Sequence, residues 1–297
     1  MTATHARHAP ISIHDLRDPG RATPASREET AVTSRDGTRI AFDRLGDGPA
    51  VILVGGATMV RQGNGALADT LASELTVLNN DRRGRGGSGD TPPYAVQREI
   101  EDIDALIADA GGSAHLFGIS SGGALALEAA AAGLAIDRLA VYEVPYGVDD
   151  DQPRRQAEYV ASLERAARSG RPGARMETFL RVVGADDDAV EATRSSDQWP
   201  GLVAVEHTLA YDAACLGTGQ PPADRLGLIT IPTLVLTGAP DGGHDVLSTG
   251  FFEDAARAIV AGVPSAEHRR IPRQSHLVDP QALAPVLAAF YKGGEPS

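Results

Sequence analysis

Ala114-His115-Leu116-Phe117-Gly118-Ile119-Ser120-Ser121-Gly122-Gly123-Ala124-Leu125 decides the reading of this chain, because an apolar strand runs through a G-x-S-x-G turn straight into an Ala-rich helix. A serine at so sharp a turn needs small neighbours. Gly118 and Gly122 keep side chains out of the approach between strand and helix, and glycine reaches backbone angles closed to other residues. Ser120 is thereby pushed out of the fold, in the setting where G-x-S-x-G presents a nucleophilic hydroxyl. Without the strand before and the helix after, the same pentapeptide would read as an ordinary Gly-rich turn.

A nucleophilic serine needs a base, and the base needs a group to orient it. Ile231-Pro232-Thr233-Leu234-Val235-Leu236-Thr237-Gly238 reads as a buried strand entered through a proline, followed by the turn Ala239-Pro240-Asp241-Gly242-Gly243. A carboxylate there, Asp241, can accept the imidazole N–H and hold the correct tautomer. After the short strand Glu267-His268-Arg269-Arg270-Ile271 comes the loop Pro272-Arg273-Gln274-Ser275-His276, which makes His276 the candidate base. His244 and Asp245 share the Asp241 loop, and His244 reads as a solvated loop residue.

The order Ser120, Asp241, His276, with the elbow after a strand, resembles the α/β-hydrolase superfamily, in its serine-nucleophile branch. Some members place the triad carboxylate after the sixth strand, so the resemblance also implies Glu143 as an alternative acid, beside a pocket-lining or structural role, while its usual position is the first acid after the following strand, Asp241. Ala50-Val51-Ile52-Leu53-Val54-Gly55-Gly56-Ala57 is similar to the third strand and oxyanion loop of that family. Asn80-Asp81-Arg82-Arg83-Gly84-Arg85-Gly86-Gly87-Ser88-Gly89 is similar to its D-x-R-G-x-G-x-S turn. One departure is that these relatives usually carry His-Gly where this chain has Gly55-Gly56, which implies a roomier or more mobile pocket mouth. The resemblance implies that the backbone N–H groups of Ala57 and Ser121 hold the oxyanion, the residue after the nucleophile supplying one of them.

The rest of the pattern agrees. Thr30 to Ser34, the turn Arg35-Asp36-Gly37 and Thr38 to Arg44 read as a β-hairpin. Val51–Val54, Thr76–Asn79 and Leu139–Tyr142 are short apolar strands alternating with helical patterns such as Ile100, Ile103, Leu106 and Ile107, which implies a parallel sheet covered on both faces. The expected fold is α/β: a mostly parallel twisted sheet of about eight strands, helices on both faces, and a helical cap inserted after the sixth strand. Residues 29–148 and 229–297 form the core and 149–228 the cap. Within 149–228, helix-like spacing recurs over 152–169, 174–183, 187–195 and 199–216, with Gly and Pro breaks between. Gly56, Tyr146 and Trp199 are the candidate substrate contacts, with Leu202 and Tyr211 near Trp199; an aromatic in a small helical cap also serves readily as core.

Composition narrows the function. A net charge of −13 argues against nucleic acid or an anionic membrane as partner and leaves neutral or cationic small molecules as substrates. No stretch approaches the ~20 apolar residues of a membrane span. The first 28 residues lack the apolar run of a signal peptide and read as a disordered tail, and His5, His8 and His14 within it are too scattered for a metal site. Cys215 is the only cysteine, so no internal disulfide forms, which suits a reducing cytoplasm; in its Ala/Leu-rich helix it reads as a small core residue. A homodimer is left open.

The expected chemistry is acyl transfer to water without cofactor or metal. Ser120 attacks the carbonyl of an ester, lactone or thioester, His276 takes its proton and Asp241 stabilises the imidazolium. Relatives with the same triad also hydrolyse C–C bonds or act as lyases or cyclases, with the triad used for acid/base chemistry, and a non-catalytic ligand-binding member is a third class.

Overall fold

The computed structural model describes residues 29–239 and 249–293, with only the backbone of Glu29 and Thr249 described. Eight strands form one sheet in the order β1-β2-β4-β3-β5-β6-β7-β8. The hairpin β1 (Glu29–Thr33) and β2 (Arg39–Leu45) is antiparallel, and β2 also runs antiparallel to β4 (Thr76–Asn80). All remaining pairs, through β3 (Ala50–Val54), β5 (Ala114–Ile119), β6 (Ile136–Tyr142), β7 (Thr233–Ala239) and β8 (Ala266–Pro272), are parallel.

Parallel strands are covered on both sides, and the two-residue period of a strand divides each of them between two cores. Ile52 and Val54 of β3 join one apolar cluster with α2 (Val96–Asp109), α3 (Ser121–Ala131) and α10 (Thr249–Gly262). Val51 and Leu53 point the other way, into a cluster with α1 (Gly65–Leu71) and α11 (Pro280–Tyr291). Leu116 and Phe117 of β5 split in the same manner.

Between β6 and β7 the chain inserts α4 (Gln152–Arg168), α5 (Ala174–Val182), α6 (Asp187–Arg194), α7 (Trp199–Val205), α8 (Leu209–Cys215) and α9 (Ala223–Leu226). Of these, α4, α5, α7 and α8 share a third, smaller core of Leu163, Met176, Leu209 and Ala213, with Tyr159, Phe179, Leu180, Trp199, Leu202 and Ala57 packed against it. Ala57 belongs to the loop after β3, so the insertion rests on that loop.

The sheet order reverses at β3, which has β4 on one side and β5 on the other. Loops leaving adjacent strands at such a switch point diverge and open a crevice at the carboxyl edge of the sheet. The loops after β3 and β5 carry Gly56 and Ser120. Among the described residues no helix is long and apolar enough to cross a membrane.

Candidate active site

Four non-glycine residues with positive φ occur among the described residues: Thr58, Ser120, Glu143 and Arg273. They follow β3, β5, β6 and β8 respectively, all at the carboxyl edge of the sheet. Left-handed backbone costs a residue with a Cβ about 1–3 kcal/mol and persists only where the surroundings enforce it. Strain is thus concentrated on loops at the carboxyl edge of the sheet.

Ser120 sits between β5 and α3 with φ 56° and ψ −127°. Its N–H donates to Tyr142 O at 2.9 Å and its carbonyl accepts from Gly123 N–H at 2.9 Å, so the elbow is held from the strand and the helix at once. The glycines of the turn are required sterically. A Cβ on Gly118 would lie 2.5 Å from Gly122 O and 2.7 Å from Gly123 Cα, and one on Gly122 would run into the carbonyls of Val54 and Gly55. The turn therefore brings the start of α3 against the end of β3. Ser121 and Gly122, the first residues of α3, present N–H groups that have no acceptor within the helix.

Gly56 lies directly against the serine, since a Cβ there would be 3.0 Å from Ser120 Cβ and 3.6 Å from Oγ. The Gly55-Gly56 pair in place of His-Gly is explained locally by Met59. A Cβ on Gly55 would meet Met59 Cβ at 3.2 Å, and the Met59 thioether accepts the Gly56 N–H at 3.3 Å. The methionine occupies the space beside the loop.

His276 is half-buried, and its Nδ1 lies 2.8 Å from Glu143 Oε2. The other carboxylate oxygen, Oε1, accepts the Gly238 N–H at 2.8 Å, so Glu143, itself 3% exposed, is fixed through both oxygens. The imidazole stacks on Phe252 of α10, with ring centroids 4.9 Å apart and planes 5° apart. Its loop is tied to the sheet by Tyr142 Oη donating to Ser275 O at 2.6 Å and by Arg273 N–H donating to Ala239 O at 2.8 Å. The imidazole thus meets the acid at the end of β6, the position read as the alternative. Asp241, the acid first expected there, lies outside the described residues, as do His244, Asp245 and the first 28 residues with His5, His8 and His14.

Of the candidate substrate contacts, Trp199 is half-buried, packs on the same small core as Ala57 and lies over Gly173. Tyr146 is 1% exposed within the larger core, and its hydroxyl has no hydrogen-bond partner among the described residues. Tyr211 stacks on Tyr94 at 3.8 Å. Burial, followed by the charge of Glu99, pushes the Cys215 thiol up to about 12, which suits a protonated core residue.

A buried ionic cluster under the loop was not foreseen. Arg82 donates to Glu99 through Nε and Nη2 and to Asp212 Oδ1 through Nη1, while Arg85 Nη2 contacts both Asp212 oxygens. Burial disfavours the charges of Glu99, Asp212 and Arg82, and the opposite charges outweigh it: Glu99 and Asp212 are held below the ordinary carboxylate range and Arg82 above its own. A sequence signal did exist. Asp212 falls on one helical face with Leu209 and Leu216, an acid at a core position.

Fold and strained serine together define an α/β-hydrolase architecture. The chain belongs to the alpha/beta hydrolase family, whose model matches residues 51–288. It is similar to an alpha/beta hydrolase from Sphaerobacter thermophilus DSM 20745, with 44% identity, a TM-score of 0.73, and coverage of 88% of this chain and all of that one. Two further structures share the fold. A thermophilic esterase from Thermogutta terrifontis has 22% identity, a TM-score of 0.64 and coverage of 90% and 98%, and a proline iminopeptidase from Mycobacterium smegmatis has 20%, 0.61, and 90% and 98%. No curated protein matches the chain significantly. The chain is a hydrolase.

Proposed function

We propose that this hydrolase cleaves an ester, lactone or thioester of a small molecule by acyl transfer through Ser120, His276 and Glu143. The observation that carries the proposal is the doubly held Glu143 carboxylate on His276 Nδ1, on the same sheet edge as the strained Ser120. With Glu143 accepting the Nδ1 proton, the imidazole offers Nε2 as the base. Ser120 Oγ bonds to the acyl carbon as its proton passes to Nε2. The carbonyl electron pair moves onto oxygen, where the N–H groups of Ala57 and Ser121 receive it. When the pair returns, the bond to the alcohol or thiol breaks and Nε2 protonates the leaving group; water then repeats the sequence and releases the acid.

The insertion acts as a cap. Support comes from Ala57, an oxyanion candidate, packing against the insertion's own apolar core beside Trp199 and Leu202. An acyl group placed between them would meet apolar walls, so Gly56 and Trp199 remain the proposed substrate contacts, while Tyr146 belongs to the larger core. A fluorophosphonate probe tests the reading. Stoichiometric labelling on Ser120, abolished in Ser120→Ala, is expected; turnover of esters by Ser120→Ala at the wild-type rate would overturn it.

A further inference from the structure

Arg85 is 1% exposed, yet all three of its guanidinium nitrogens find acceptors. Nε donates to Thr208 Oγ1 at 3.0 Å, Nη1 to Gly56 O at 2.6 Å and, at the 3.5 Å limit, to Met59 O, and Nη2 to Asp212 Oδ1 and Oδ2 at 2.8 and 2.7 Å. The bond to Gly56 O bears on the chemistry. In a trans peptide the C=O and the next N–H point in opposite directions, so fixing the Gly56 carbonyl fixes where the Ala57 N–H points. The preceding carbonyl, Gly55 O, is held in the same way by Arg82 Nη1 at 3.3 Å. Two successive glycines have no side chains of their own to restrict these peptide planes. Met59 holds the same planes from one side, its N–H on Gly56 O and its thioether on the Gly56 N–H, each at 3.3 Å; the two arginines add the charged restraint from the other.

Both arginines converge on one atom. Asp212 Oδ1 accepts from Arg82 Nη1 at 2.6 Å and Arg85 Nη2 at 2.8 Å, and also from Ser121 Oγ at 2.7 Å. Ser121 carries the second proposed oxyanion N–H. Asp212 belongs to α8 of the insertion, which is seated on the core by the Tyr94–Tyr211 stack, while Tyr94 Oη donates to Glu99 at 2.8 Å. A single carboxylate of the insertion therefore anchors both halves of the oxyanion site.

We infer that Arg85 and Asp212 are positioning residues, through which the seating of α8 sets the direction of the Ala57 and Ser121 N–H groups. The inference rests on the acyl-transfer reading of the same site. Loss of the tie should weaken interactions made only in the transition state, lowering kcat at constant KM.

Arg83 provides a matched control. It is fully buried in the same turn and holds Asp102 through two nitrogens, with Asp36 on a third contact, and no bond to Gly55 or Gly56 is among its contacts. Arg85→Lys and Arg83→Lys each keep the charge and lose the planar fork. With active sites counted by the end point of fluorophosphonate labelling, Arg85→Lys is expected to lose about 10²-fold in kcat on a p-nitrophenyl ester with KM within threefold. Arg83→Lys is expected to lose thermal stability comparably while keeping kcat within threefold per active site. Equal kcat losses in the two variants, or an unchanged kcat in Arg85→Lys, would overturn the inference. If Arg85→Lys does not fold, Ser121→Ala decides, because it removes only the hydroxyl bonded to Asp212: a kcat loss of about tenfold at constant KM supports the tie, and an unchanged kcat overturns it. Ser120→Ala separates the two claims. If it stays active the acyl-transfer reading falls; if it is inactive while Arg85→Lys turns over normally, only the positioning role falls.

Discussion

Glu143→Gln is isosteric, and the structure says what it must do. The carboxylate accepts from Gly238 N–H with one oxygen and faces His276 Nδ1 with the other, both at 2.8 Å. Glutamine has one carbonyl oxygen and one NH₂. Turning the NH₂ toward Gly238 would oppose two donors and leave a buried N–H unsatisfied, at about 1–3 kcal/mol. The oxygen therefore stays on Gly238 and the NH₂ faces Nδ1, which must then accept. An imidazole accepting at Nδ1 carries its proton on Nε2 and cannot receive one from Ser120. The expected loss in kcat is on the order of 10⁴-fold, the magnitude of a wrong-tautomer defect, with little change in Tm because the number of hydrogen bonds is kept. Asp241→Asn in parallel should stay within tenfold of wild type on the same p-nitrophenyl ester. If Glu143→Gln retains activity within tenfold while Asp241→Asn collapses, the acid is Asp241 and the tautomer argument is refuted.

Ser120→Ala should lower ester turnover by ~10³-fold or more, leaving only binding and the oxyanion site, and turnover by the purified variant within about tenfold of wild type would disprove it. Ser120→Gly should be equally inactive yet melt higher than Ser120→Ala, because glycine relieves the cost of φ 56°; differential scanning calorimetry of the pair checks this. Trp199→Ala should shift kcat/KM toward bulkier acyl groups by about 1–3 kcal/mol across a chain-length series, whereas an unchanged profile with a large loss of stability would make Trp199 core alone. Glu99 and Asp212 are pushed up by burial but held lower still by Arg82 and Arg85. Their folded-state pKa values lie below the unfolded ones, so their stabilisation is complete above about pH 4.5 and is lost as the pH falls through the folded values. Urea midpoints should be level from pH 7 to 5 and drop toward pH 3; a midpoint unchanged at pH 3 would remove this cluster from the stability of the fold.

The sequence by itself determined the sheet, the elbow and the position of the insertion, because each is written in local periodicity. Continuous apolar runs of four to six residues mark strands buried on both faces, and a 3.6-residue period marks the helices on them. Gly118-Ile119-Ser120-Ser121-Gly122 was legible for a related reason: the close approach of β5, α3 and β3 excludes any Cβ at Gly118 or Gly122, and glycine is the one residue that satisfies it. The partner of His276 was not legible in this way. Glu143 and Asp241 both follow strands, and which carboxylate reaches the imidazole depends on how β6, β7 and β8 are set side by side. In the structure Gly238 N–H and His276 converge on Glu143 across 95 and 133 residues of sequence. The Arg85–Asp212 tie spans 127 residues. Periodicity places residues along a chain, but a hydrogen bond depends on a fraction of an ångström between elements whose separation only tertiary packing sets, and so the partner of His276 and the arginine bonded to Gly56 were decided there.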